Sequence, residues 1–239
     1  MNPPGGADAA AAQDYFNRGH PLHWLKARVA TRARARMYRR VLALARPGRE
    51  TRIVDVGVTP DLGIAYGNFF ERWYPYPDCL TVCSTEDCSG LERRFPGLRF
   101  RLIRGDRLPF NDGEFDLAVS FAVLEHVGST ARQRRFVAEL ARIAPAFVAY
   151  TPYRYFPVEM HTFLPLVHWL PARWHRRLLR RLGLTFWAEE ANLHLLSRRE
   201  ARALLPPSGS GTARLLWTAG WPSNIELSWR ASGPDGGRG

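Results

Sequence analysis

The sequence predicts an α/β fold: one mostly parallel sheet, finished by an antiparallel hairpin. Three observations carry this. Five short apolar segments between positions 52 and 150 alternate with helix-like stretches, the pattern of strands joined by right-handed crossovers. Two further apolar segments, Ala213–Thr218 and Ile225–Trp229, are joined only through Gly220-Trp221-Pro222-Ser223-Asn224, a link too short for a crossover, so that pair is antiparallel. The chain has 239 residues, of which 46% are apolar, enough for one α/β domain with a core and too few for two full ones.

Residues 1–12 are rich in Pro, Gly and Ala, with neither a basic start nor an apolar run, and read as a disordered tail rather than a signal peptide. The domain is expected over 13–231, with a second flexible tail over 232–239. Positions 13–47 form an N-terminal helical segment with apolar residues at Leu22, Leu25, Val29, Met37, Val41 and Leu44, stopped by Pro47-Gly48. Arg52–Gly57 is the first strand, and Ile64–Trp73 reads as the helix behind it. Leu80–Cys83, Leu98–Arg104, Phe115–Ser120 and Phe147–Tyr150 follow as strands, with a helix over Arg132–Ile143 before the last. Residues 151–205 are too long for a simple crossover and are read as a helical insertion after the fifth strand. Its aromatics, Tyr153, Tyr155, Phe156, Trp169 and Trp187 among them, either line an acceptor pocket or pack the insertion onto the sheet.

The net charge of +12 suggests a polyanionic partner, but 33 of the 34 basic residues are Arg and only Lys26 is Lys, a compositional preference that accounts for much of the excess. No nucleic-acid motif accompanies the charge, which argues against nucleic acid as partner. The basic stretches Arg28–Arg40 and Arg173–Arg181 are either solvated helix faces or surfaces for an anionic membrane or a phosphorylated acceptor. Cys79, Cys83 and Cys88 lack a fourth ligand, so reduced thiols are expected rather than zinc, and no metal site is expected elsewhere. Thiols of this kind and the lack of a leader pattern give a cytoplasmic location as the expectation.

In an open α/β sheet, ligands bind beyond the carboxyl ends of the strands. The residues there are informative. Asp55-Val56-Gly57 ends the first strand and leads through Asp61 to Gly63, a turn that lets backbone approach a ligand. Thr59 stands where a G-x-G-x-G pattern would carry its second glycine. Thr85-Glu86-Asp87 follows the second strand and offers a carboxylate for two hydroxyls, Glu86 first and Asp87 second, unless it is a solvated loop. Gly105-Asp106 follows the third strand, where Asp106 accepts from an amino group or closes an Asx turn. Ser120 ends the fourth.

The run Leu108-Pro109-Phe110-Asn111-Asp112-Gly113-Glu114-Phe115-Asp116-Leu117-Ala118-Val119-Ser120, continued by Phe121-Ala122-Val123-Leu124-Glu125-His126-Val127, resembles the fourth motif of the type 11 family of class I methyltransferases. Thr151–Pro165, Asn192–Ser197 and Gly220–Asn224 are similar to a subgroup met among polysaccharide and secondary-metabolite genes, whose first loop is equally poor in glycine. The resemblance covers about Ile53 to Trp229. It implies a Rossmann-like seven-stranded sheet, S-adenosyl-L-methionine as methyl donor, and a small-molecule or glycan acceptor methylated at oxygen. Asp55, Gly57, Asp61, Gly63, Glu86, Asp106 and Ser120 are then the cofactor-side residues, with the ribose on Glu86 and the adenine on Asp106. A hydroxyl acceptor must lose a proton, and His is the usual base near neutral pH. His161, with Glu159 two residues before it, is the first candidate and His126 the second; a structural imidazole is the alternative for each. The competing reading of the whole chain is a protein that keeps the fold but has lost the cofactor, favoured by the altered Gly57–Gly63 loop.

Overall fold

The computed structural model describes residues 23–64 and 66–232. The expected tail over 1–12, positions 13–22 of the N-terminal segment and all but Ser232 of the expected tail over 232–239 lie outside the described residues. The fold is a seven-stranded sheet in the order β3-β2-β1-β4-β5-β7-β6. Strands β1 (Ile53–Val56), β2 (Leu80–Ser84), β3 (Arg99–Leu102), β4 (Leu117–Phe121) and β5 (Ala146–Pro152) are parallel, and β7 (Trp221–Ala231) runs antiparallel between β5 and β6 (Gly209–Thr218). The order reverses between β1 and β4, which leaves a crevice at their carboxyl ends.

Side-chain alternation divides the core into two layers. Val54, Val56, Ala118, Phe147 and Ala149 face helix α4 (Thr130–Ile143). Ile53, Leu117, Val119, Val148 and Tyr150 face α1 (His23–Ala45) and α2 (Phe69–Trp73), with α3 (Gly90–Arg94) contributing Leu91. Asp55 therefore shares its side of the sheet with α1 and α2. Helix α4 begins two residues before the expected Arg132, because Ser129 caps it by accepting from the Arg132 N–H. Its buried residues Gln133, Val137 and Leu140 repeat at helical spacing on one face.

Two expectations need correction. Ile64–Trp73 is helical only over Phe69–Trp73, since Asn68 takes a left-handed φ of 44° and the turns before it hold Gly67. The C-terminal hairpin turns through Ala219 and Gly220 alone, both at positive φ, and its strands are longer than the apolar segments suggested.

The insertion carries α5 (Ala172–Arg181), α6 (Thr185–Ala188) and α7 (Arg198–Arg202). Leu179, Trp187, Ala188 and Leu193 give it a small core of its own. Helix α7 starts with a reciprocal capping box between Ser197 and Glu200.

The basic stretch on α1 is not wholly a solvated face. Arg40 donates to both oxygens of buried Glu226, at 2.9 and 2.6 Å, and the Tyr150 hydroxyl donates to the same carboxylate at 2.9 Å. This network pins α1 to β5 and β7. Removing one partner of a buried ion pair leaves an uncompensated charge. Arg40→Ala is expected to lower unfolding stability by about 3 kcal/mol. Arg40→Met combined with Glu226→Leu should recover most of the loss, read as the midpoint of urea unfolding.

Candidate active site

A cavity of about 470 Å³ opens at the crevice between β1 and β4, a size suited to a small-molecule ligand. Its floor is Asp55 and Gly57 from β1, Ser84 and Glu86 from the end of β2, and Phe121 from β4. The insertion supplies the cover, with Tyr153, Phe156, Val158, Met160 and His161. Of the insertion's aromatics, Tyr153 and Phe156 line the cavity, Trp187 packs in the insertion's own core, and Tyr155 and Trp169 are exposed.

The first turn depends on Gly57. Its φ is +100°, and a Cβ placed there would lie 2.1 Å from the Val123 side chain. The constraint is internal packing against the segment after β4, where Ala122 also takes a positive φ of 60°. Thr59 is held by Asn68 on both backbone groups: its N–H donates to Asn68 Oδ1 at 3.0 Å, and its carbonyl accepts from Nδ2 at 2.7 Å. Asn68 thereby fixes the loop that lacks the second glycine.

The structure brings together only some of the residues read from the sequence. Asp55, Gly57, Glu86, His126 and His161 line one cavity. Asp61, Gly63, Asp106 and Ser120 do not line it. Asp61 accepts from the Gly63 N–H at 2.9 Å in an Asx turn within its own loop. Ser120 is buried and donates to the Val56 carbonyl at 2.8 Å, tying β4 to β1. Asp106 sits on an exposed loop, paired with Arg135 at 2.9 Å. Asp87 accepts from the Ser89 N–H at 2.9 Å, which leaves Glu86 as the carboxylate of its loop at the cavity.

Three cavity residues were not singled out from the sequence. Arg34 reaches in from α1, its guanidinium 5.3 Å from the Phe69 ring centroid. It lies on the same helical face as Met37 and Val41, three and seven residues on, and that spacing is the signal that could have found it. Glu71 is buried in α2, and both its carboxyl oxygens lack a hydrogen-bond partner among the described residues. Burial and the neighbouring Glu71 push the Asp55 carboxyl well up, and burial pushes Glu71 up as well. Burial pushes the Arg34 guanidinium down, against the pull of the Glu125 and Asp55 carboxylates. Glu125 is the third, fully buried, with Oε2 accepting from the Thr151 hydroxyl at 2.9 Å.

The two histidines meet. Their ring centroids are 4.9 Å apart, edge to face, and His161 also packs 4.8 Å from Trp187. His161 Nδ1 donates to Glu159 Oε1 at 2.6 Å, and His126 Nδ1 donates to the Asn192 carbonyl at 2.7 Å. Both acceptors lack a proton, so each ring carries its hydrogen on Nδ1 and its lone pair on Nε2. Glu159 is fully engaged, also accepting from the His161 and Thr162 N–H groups and the Thr162 hydroxyl. Burial alone would raise this carboxyl, yet the His161 imidazole and these donors hold it down at about 2. Burial lowers His126, partly offset by the Glu125 carboxylate.

The chemistry of a zwitterionic, ribose-bearing cofactor fits these residues. Glu71, whose carboxyl oxygens lack a donor, and Asp55 beside it suit an ammonium, Arg34 a carboxylate, and Glu86 a pair of hydroxyls.

The profile of the type 11 methyltransferase domain matches residues 61–145, from the first loop to the start of β5. Over that stretch, which is about a third of its length, the chain is similar to the methyltransferase domains of this family. Its motif over Leu108–Phe115 is largely structural here: Leu108, Phe110 and Phe115 are buried, while Arg142 and Glu139 of α4 hold the Leu108 and Phe110 backbone. No curated protein matches the chain significantly. Among solved structures, the N-methyltransferase NodS from Bradyrhizobium japonicum, in complex with S-adenosyl-L-homocysteine, superposes with a TM-score of 0.53 at 14% identity, over 94% of each chain. A chain from the complex of the Haloferax volcanii Trm112 methyltransferase activator with a methyltransferase gives 0.55 at 13%, over 87% of this chain and 94% of that one. The Burkholderia thailandensis 1,6-didemethyltoxoflavin-N1-methyltransferase gives 0.53 at 12%, over 91% and 84%. At such identities these establish a shared fold alone, the Rossmann-like sheet.

The Glu159 carboxyl has a folded value of about 2 against an ordinary 4.5. The native state therefore binds fewer protons than the unfolded chain between these values, and its stabilisation is full above pH 4.5 and lost as pH falls to 2. The raised Asp55 and Glu71 act in the opposite direction, their contribution falling as pH rises. Glu159→Gln is expected to flatten the rise of stability across pH 2 to 4.5, measured by urea unfolding at stepped pH.

Proposed function

We propose that this protein transfers a methyl group from S-adenosyl-L-methionine to a hydroxyl of a small-molecule or glycan acceptor. The observation that supports it is one cavity lined both by cofactor-type groups, Asp55, Glu71, Arg34 and Glu86, and by two oriented imidazoles. When bound, the cofactor supplies a methyl group on a sulfonium centre. Glu86 takes the ribose hydroxyls, and Asp55, Glu71 and Arg34 take the charged amino-acid end. The insertion's aromatics exclude water and hold the acceptor close, which is where much of the rate gain of a displacement lies. The acceptor's hydroxyl proton leaves at the His161–His126 pole, where Glu159 and the Asn192 carbonyl fix the two rings. Asp106 lies outside the cavity and has no part in this assignment.

One observation favours the competing reading of a fold without cofactor: the Thr59 N–H, which a glycine loop would offer a ligand, is taken by Asn68. Calorimetric titration with S-adenosyl-L-homocysteine separates the two. The enzyme reading expects binding, weakened by about 1–3 kcal/mol in Glu86→Ala. No binding by the folded parent contradicts it.

A peripheral membrane contact extends the proposal. Helix α5 exposes Arg173, Arg177 and Arg181 beside Trp174. Exposed Leu166, Trp169 and Leu170 precede it, with Trp169 stacked on Trp221 at 6.4 Å. Basic side chains beside exposed Trp and Leu complement an anionic bilayer surface. No helix among the described residues is long and apolar enough to cross a membrane. The chain should sediment with phosphatidylglycerol vesicles and not with phosphatidylcholine ones. Arg173→Glu with Arg177→Glu should cost about 2 kcal/mol or more of that binding.

A further inference from the structure

We propose that Glu125, His126 and His161 form a binding site for a first-row divalent cation such as Mn²⁺, Fe²⁺, Co²⁺ or Zn²⁺, at the acceptor end of the cavity. One ligand atom from each of the three residues lies within 4.8 Å of the others. Glu125 is fully buried, and its Oε1 has no hydrogen-bond partner among the described residues while Oε2 is used by Thr151. That oxygen lies 3.8 Å from His126 Nε2. A buried carboxylate oxygen without a donor is costly, and a cation removes the cost.

The surrounding bonds are those of a metal site. A ligating imidazole usually donates its other ring N–H to a carboxylate or a backbone carbonyl, which fixes the tautomer and turns the lone pair to the metal. Both arrangements occur here, Glu159 behind His161 and the Asn192 carbonyl behind His126. The Glu125 main chain is held as well, its carbonyl accepting from the His194 N–H at 2.8 Å. Two imidazoles and one carboxylate leave further positions open and suit a borderline cation; Mg²⁺ and Ca²⁺ prefer all-oxygen sets. An ion about 2.1 Å from each ligand draws the three side chains together. Glu125 and Glu159 balance its charge, and Arg34 lines the same cavity from α1, within reach of the Glu125 and Asp55 carboxyls.

The site deepens the proposed function and rests on it only for its purpose. A hydroxyl bound at an open position is acidified by the ion. Its proton passes to solvent, and the oxygen forms its bond to the methyl carbon as the carbon–sulfur bond breaks. His161 and His126 then act as ligands. The sequence offered no hint, because the ligands come from the turn after β4 and from the insertion, 35 residues apart.

The test is titration of the untagged full chain with CoCl₂, read by visible absorption, then displacement with ZnCl₂. One Co²⁺ per chain, bound at micromolar concentration and displaced by one equivalent of Zn²⁺, is the expected result. Glu125→Gln and His161→Ala should each weaken binding at least tenfold, while His175→Ala leaves it unchanged. Glu125→Gln keeps the Thr151 contact and so remains informative if removal of an imidazole disturbs the insertion. Absence of Co²⁺ binding by the parent, or binding unchanged in Glu125→Gln and His161→Ala, overturns the site. S-adenosyl-L-homocysteine affinity, measured on the same samples, reports separately on the methyltransferase reading: a parent that binds it but not Co²⁺ loses only the metal.

Discussion

The close approach of Gly57 to Val123 holds the site together. The winding of the sheet reverses between β1 and β4, and the segments leaving these two strands must pass each other at the mouth of the crevice. They do so because Gly57 has no side chain and takes a φ of +100°. Any Cβ there would push the turn that carries Glu125 and His126 away from β1. One residue's lack of a side chain thus sets the spacing between Asp55 on one strand and the Glu125–His126 turn on the next.

Around that contact the molecule carries an unusual load of buried charge. Glu226 is answered by Arg40 and Tyr150, and Glu159 by His161 and Thr162. The Glu71 carboxyl and one oxygen of Glu125 are not answered in the same way, and both residues line the cavity. Satisfied charges away from the opening hold elements together, whereas unsatisfied ones beside it are a cost kept where ligands bind. Both the cofactor assignment and the cation assignment rest on this contrast.

The sheet was legible in the sequence because each strand is a short apolar run and the hairpin link is too short for any other connection. The helix expected from Ile64 was misjudged over its first half: its apolar residues fit helical spacing, but the left-handed Asn68 and its two bonds to Thr59 govern that loop, and side-chain-to-backbone bonds leave no periodic trace. The same limit applies to the site. Asp55 lies at the carboxyl end of its strand and Gly57 and Glu86 follow theirs, and position alone suggested them. Asp61 and Ser120 have equally suggestive places but spend their side chains on local backbone, which only coordinates reveal. Arg34 was hidden in a run of arginines, most of which face solvent, and Glu125 drew attention only as the neighbour of a histidine.

The most direct measurement of the central claim is a crystal structure with S-adenosyl-L-homocysteine bound. The account predicts the ribose on Glu86, the amino-acid end among Asp55, Glu71 and Arg34, and the sulfur facing the side of the cavity where His126 and His161 stand. A ligand seated elsewhere, or with its sulfur turned away from both histidines, would contradict it.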